Sequence, residues 1–138
     1  MKKLPPSLLI VVAIMIISVD QLSKYFMTNS NLIVFNQGAS FGLVPSTLWP
    51  LIIVPVLGLL IYEVIKANNR YSQIGLVLII SAGFSNLLDR FILGAVRDFI
   101  HYKAINTVGN IADIIIGFGI GVLVLSQGIQ KKVTKHDA

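Results

Sequence analysis

No cysteine occurs in the 138 residues, which removes disulfides, thiol nucleophiles and thiolate metal sites together. Histidine is almost as scarce. His101 and His136 stand too far apart and too isolated for a standard zinc motif, so neither a metal nor any other cofactor is expected. Charge is short as well: Asp, Glu, Lys and Arg make up 12% of the chain, about half of what a soluble domain carries. So few charges cannot solvate a surface of this size. The net charge of +5 sits in short flanks rather than along one face, which favours a membrane over nucleic acid.

What is present is apolar: 55% of residues are hydrophobic and the mean hydropathy is +0.83. The length suits one domain, 1–138. Residues 4–19, 48–62 and 74–88 are uncharged, and 111–125 is interrupted only by Asp113. Each is slightly short of the ~20 residues that cross a ~30 Å hydrocarbon core. Flanking Tyr25, Phe26, Trp49 and Tyr71 complete the crossings at the interfaces. The pattern predicts an all-α membrane protein with four transmembrane helices over about 4–26, 48–65, 71–90 and 111–128. A cleavable signal peptide is the rival reading of the first stretch. Its end, Ser18-Val19-Asp20-Gln21, lacks a small-x-small cleavage pattern, so the span is read as retained.

Four spans put both termini on the side of the loop around Lys66 and Arg70. Lys2, Lys3, Lys131, Lys132 and Lys135 join them there, against Lys24, Arg90, Arg97 and Lys103 opposite. The positive-inside rule then makes the termini cytoplasmic. The acids divide the other way: Asp20, Asp89, Asp98 and Asp113 fall outside, and only Glu63 and Asp137 inside. The first outer loop, 29–46, carries the β-favouring run Leu32-Ile33-Val34-Phe35 and then Gly38, Gly42 and Pro45, and reads as extended, a small hairpin or sheet. The second, 91–109, mixes aromatics with charges and is expected along the interface. The polar tail 130–138 reads as frayed.

Asp98 and Asp113 are the candidate catalytic residues. A carboxylate within a membrane helix costs several kcal/mol unless it faces a partner or a polar cavity. Two carboxylates brought together cannot both ionise easily, so one can take a proton from water while the other hydrogen-bonds a substrate carbonyl. The spacing equally fits a solvated loop acid and a helix N-terminal acid favoured by the dipole. Asp20 and Lys24, at i and i+4, share a helix face and fit a structural pair at the end of the first span. Asn86 lies deep enough to need a partner on another helix or an active-site carboxylate. Arg90, one turn on, reads as snorkelling to phosphate. Asn36 and Gly38 mark a tight turn, and Gly117 with Gly121 reads as close helix packing. His101 reads as interfacial or hydrogen-bonded rather than a ligand.

Five runs together resemble the bacterial lipoprotein signal peptidases (signal peptidase II). They are Asp20-Gln21-x-x-Lys24, Asn36-x-Gly38-Ala39-x-Phe41-Gly42, Asn86-Leu87-x-Asp89-Arg90, Val96-x-Asp98-Phe99-Ile100 and Asn110-x-Ala112-Asp113, in the family's order. The resemblance implies an aspartic endopeptidase of the bacterial inner membrane with its active site at the outer face. It would cleave prolipoproteins before a diacylglyceryl-modified cysteine, with Asp98 and Asp113 as the catalytic pair. Asp20, Lys24, Asn36, Gly38, Asn86, Arg90, Asn110 and Ala112 would shape the site or hold substrate and phospholipid. A monomer is expected, with no nucleic-acid partner. Ser85 stands where the family usually has glycine, Val108-Gly109 replaces an aromatic before Asn110, and the loop between the two acids is compact. Two other readings compete: a four-span exporter of lipophilic cations, and an inactive scaffold that binds prolipoproteins.

Overall fold

A computed structural model describes residues 2–38 and 49–136 of the chain. Four helices carry the architecture: α1 (Pro6–Met27), α2 (Trp49–Lys66), α3 (Arg70–Leu93) and α4 (Ile111–His136). Proline at the start of α1 needs no amide partner and presets the helical φ. Asn69 caps α3 by accepting from Ser72 N at 2.8 Å, and Gly94 ends it in the left-handed conformation at φ 71°. Three helical segments, Pro6–Met27, Arg70–Leu93 and Ile111–Gly128, are long and apolar enough to cross a membrane. At 18 residues, α2 is about 27 Å long.

The centre of the bundle is α3, which packs against α1, α2 and α4. Half of its membrane-length window is buried inside the protein, against 6% for α1. The other helices turn large apolar side chains outward, Ile14, Leu51 and Phe118 among them. Such a surface has no aqueous explanation and suits lipid. α2 meets α3 where Ile53 and Leu57 pack on Leu87.

The short strands lie at the end of the bundle that carries Asp20, Asp89 and Asp113. β1 (Val34–Asn36) pairs antiparallel with β2 (Val96–Asp98), Val34 opposite Asp98. β3 (Ile100–Tyr102) and β4 (Thr107–Gly109) form a hairpin closed by a 3-10 turn, with Asn106 at φ 46°. Asparagine tolerates that left-handed geometry better than most residues. The β-favouring run of the first loop therefore pairs with the second loop. The second loop holds a small β structure. The predicted turn beyond Gly38, including Ala39, Phe41, Gly42 and Pro45, lies outside the described residues.

Two further expectations change. The chain past residue 128 continues as helix to His136 instead of fraying, since nothing between 129 and 136 breaks helical geometry. The close approach of helices falls at Gly75 and Gly119, not at Gly117 and Gly121. A Cβ on Gly75 would lie 2.8 Å from Leu123 Cγ and 2.9 Å from Gly119 O, whereas nothing stands within 4 Å of a Cβ on Gly117 or Gly121. Gly75→Val should therefore destabilise the α3–α4 contact by about 1–3 kcal/mol, while Gly117→Val should not. Thermal unfolding of both variants in one detergent checks this; equal melting temperatures would contradict the packing.

Candidate active site

The site grows from the first turn of α4. Asn110 Oδ1 accepts from Asp113 N at 3.1 Å, and Asp113 Oδ2 accepts from Asn110 N at 3.0 Å. This reciprocal pair is a capping box built from Asn and Asp, and it fixes the Asp113 side chain against its own helix start. The intervening Ala112, fully buried, donates its N–H to Asp20 Oδ1 at 2.9 Å. Orphan donors of α4 are thus satisfied by its N-cap residue, Asn110, and by Asp20 from α1.

Asn110 also reaches the other acid. Its Nδ2 donates to Asp98 Oδ1 at 2.7 Å and to Asn86 Oδ1 at 3.0 Å. Asn86 Nδ2 in turn donates to Asp113 Oδ1 at 3.0 Å. The second oxygen of Asp98 accepts from Asn36 Nδ2 at 3.0 Å, across the β1–β2 ribbon. Asp98 and Asp113, 15 residues apart in the chain, are therefore joined through one asparagine, and each carboxylate oxygen has an amide donor. Asp98 is 2% exposed, and burial pushes its pKa up to about 6, helped by the charge of Asp113 and opposed by the Asn36 and Asn110 hydrogen bonds and Lys24. Tyr102 on β3 is raised too, by burial and then by the charges of Asp113 and Asp98.

Beneath the pair lies an ionic layer. Lys24 Nζ, fully buried, meets Asp20 Oδ2 at 2.6 Å, Asn86 Oδ1 at 2.7 Å and Asp89 Oδ2 at 3.4 Å. Asp20 Oδ2 also accepts from Ser85 Oγ at 2.7 Å. Arg90 turns inward instead of snorkelling outward: Nη2 donates to Gly38 O at 2.8 Å and Nη1 to Asn86 O at 3.3 Å. Its Nε is buried without a partner among the described residues. Gly38 N donates to Asn36 Oδ1 at 3.1 Å, so the tight turn read from Asn36 and Gly38 is an Asx turn that also offers its carbonyl to Arg90. An open groove of about 370 Å³ adjoins Asp98, lined by Phe35, Asn36 and Gln37 on one strand and Asn106, Thr107 and Val108 opposite. No cluster able to hold a metal occurs among the described residues.

All ten residues singled out from sequence thus fall in one connected network. Sequence reading left out Gln21, Ser85, Asp89 and Arg97. Asp89, 1% exposed, accepts from Gln21 Nε2 at 3.0 Å and from Arg97 Nη2 at 2.7 Å. The available signal was a stripe: Ser85, Asn86, Asp89 and Arg90 repeat at helical spacing within an apolar span. His101 is exposed on β3 and holds no part of the network.

A family model described as signal peptidase (SPase) II matches residues 12–128. A lipoprotein signal peptidase of Clostridioides difficile is 35% identical, the match covering 81% of this chain and 88% of the relative. One from Helicobacter pylori is 38% identical over 82% of each chain. Among solved structures, a bacterial membrane enzyme determined by the in meso method at 2.3 Å superposes with a TM-score of 0.80 at 23% identity, covering 94% of this chain and 93% of that one. The last likeness concerns the fold.

Two outcomes follow from the geometry. Lys24→Met leaves Asp20 short of a cation in a buried site, while Asp89 keeps Arg97, and should cost about 3–5 kcal/mol in detergent unfolding, partly recovered in the Lys24→Met/Asp20→Asn double variant. Asp98 has a folded pKa of about 6 against its usual 3.8, so the stability tied to its protonated form is complete below about pH 4 and lost as pH rises through 6. Asp98→Asn should remove that slope between pH 4 and 7. A melting-temperature profile of the same slope in the variant would contradict the assignment.

Proposed function

The chain belongs to the signal peptidase II family and is an aspartic-type peptidase, and on that premise we propose that it removes the signal peptide from prolipoproteins. The cut falls before the diacylglyceryl-modified cysteine, and a water activated by Asp98 and Asp113 makes it. The observation that carries this reading is the double anchorage of Asn110, whose side chain holds Asp98 and whose backbone N–H holds Asp113.

Asp98, with a pKa of about 6, is ionised at neutral pH and serves as the base that takes a proton from water. Asp113, once it has taken up a proton, hydrogen-bonds the scissile carbonyl. As the tetrahedral intermediate collapses, the proton gained by Asp98 passes to the leaving amine. The groove beside Asp98 supplies strand edge and side chains for an extended segment. No step needs a covalent enzyme intermediate.

The chemistry of the substrate fixes where such a site must sit. Each CH₂ of a diacylated cysteine held in lipid is worth about 0.8 kcal/mol, so the scissile bond stays near the interface. With four transmembrane helices in the bacterial inner membrane and cytoplasmic termini, Asp98 and the start of α4 would lie at the outer face at that depth. The single domain 1–138 acts as a monomer on diacylglyceryl prolipoprotein and phospholipid. A lipophilic-cation exporter would need an acid reachable from both sides, and Asp20, Asp89, Asp98 and Asp113 all meet at one end of the bundle.

Purified protein in nanodiscs, given a diacylglyceryl prolipoprotein, should cleave it, and Asp98→Asn or Asp113→Asn should lower kcat by about 10²–10⁴-fold with folding retained. The rate should fall as pH drops below about 6, where Asp98 gains a proton and the pair loses its base. Full activity in either variant would overturn the mechanism, and an active protein that ignores the lipid on the cysteine would overturn the substrate.

A further inference from the structure

We propose that Arg97 is a positioning residue for the peptidase reaction, latching the strand that carries Asp98 onto α1 and α3. The proposal rests on Asp98 being one of the reacting acids. Arg97 Nη2 donates to Asp89 Oδ1 at 2.7 Å and to Gln21 Oε1 at 2.8 Å. Its Nε and backbone N donate to Asp89 Oδ2 at 3.3 and 3.0 Å, and Nη1 approaches Thr28 Oγ1 at 3.5 Å. The Arg97 side chain is 13% exposed and that of Asp89 only 1%. A planar guanidinium with several donors can bind a carboxylate along one edge and an amide oxygen beside it, which a lysine cannot.

The need for such a latch follows from the strand. β2 has three residues and its partner β1 three, and a ribbon that short does not hold itself rigid. Reacting groups tolerate only about 0.5 Å of error. Side chains alternate along a strand, so Arg97 can grip the bundle on one side while Asp98 meets Asn110 on the other. Asp89, the partner of Arg97, also lies 3.4 Å from Lys24 Nζ, and Lys24 bonds Asn86, which bonds Asp113. One buried carboxylate therefore registers the Asp98 strand against the helix layer that holds the second acid.

The groups that face Asp98 electrostatically are Asp113 from α4, Lys24 from α1, Arg90 from α3 and Tyr102 from β3. Removing Arg97 leaves all of these present, so a change in Asp98 titration reports displacement of its strand. In nanodiscs, Arg97→Gln should lower kcat roughly ten- to hundredfold with KM within about twofold. The limb near pH 6 should move toward the usual carboxylate range as water reaches Asp98, and Arg97→Lys should restore part of both. A ¹³C-carboxyl NMR titration of Asp98 should show the same shift without turnover.

Unchanged kcat and an unmoved limb in folded Arg97→Gln would overturn the latch. If that variant does not fold, Gln21→Met, which removes one acceptor of Nη2, should show a smaller change of the same kind, and no change there overturns it as well. If the unmodified protein cleaves no lipidated substrate, the functional reading fails, while the NMR titration still decides the latch.

Discussion

A lysine ammonium without solvent exposure organises this protein. Lys24 sits inside an apolar bundle, where an unmatched charge would cost many kcal/mol. Its Nζ donates to Asn86 and lies within ion-pair distance of Asp20 and Asp89, so the charge is matched. That arrangement ties α1 to α3 directly. Through Asp20 and the Ala112 N–H it also fixes the start of α4. The three helices cannot shift at this end without exposing a charge to hydrocarbon.

On that base the four acids at this end of the bundle separate into two kinds. Asp20 and Asp89 lie within ion-pair distance of Lys24 or Arg97. Asp98 and Asp113 are held by amides from Asn36, Asn86 and Asn110, and among the described residues no cation is within ion-pair distance of either. A cation in contact would pin a carboxylate in its charged form, whereas neutral donors orient it and leave it free to exchange a proton. Asp98 shows the result, with burial raising its pKa to about 6 despite two hydrogen bonds. Asparagine is well suited to the task because one side chain can donate to an acid and accept from a cation, as Asn86 does with Asp113 and Lys24.

The division of labour among elements follows the same logic. The helices supply rigidity where lipid demands that backbone groups be satisfied internally. The strands lie beyond the ends of α1 and α3, beside the groove at Asp98. The fold resembles that of solved bacterial membrane enzymes, while relatives more than 30% identical carry the family assignment. Gly75 and Gly119 let α3 and α4 approach closely, which brings Asn86 on one helix within reach of Asn110 at the start of the other.

Hydropathy runs were enough to locate the helices, because lipid and internal hydrogen bonding leave a long apolar stretch few other forms. The acids Asp98 and Asp113 were legible too, since a carboxylate at the margin of an apolar run has few inexpensive explanations. The reach of Asn110 to both of them was not, because a spacing of 12 residues between Asp98 and Asn110 says nothing about a hairpin that folds back. Nor was the pairing of Val34 with Asp98, a non-local contact chosen by where α1 and α3 end. Arg90 and the Gly117–Gly121 spacing misled for one reason: exposure on an isolated helix does not reveal which face its neighbours cover. Local pattern determined which segments enter the membrane and which residues carry charge there. Tertiary packing decided which charges neutralise each other and which two carboxylates are held by neutral donors, because those contacts join residues far apart in the chain.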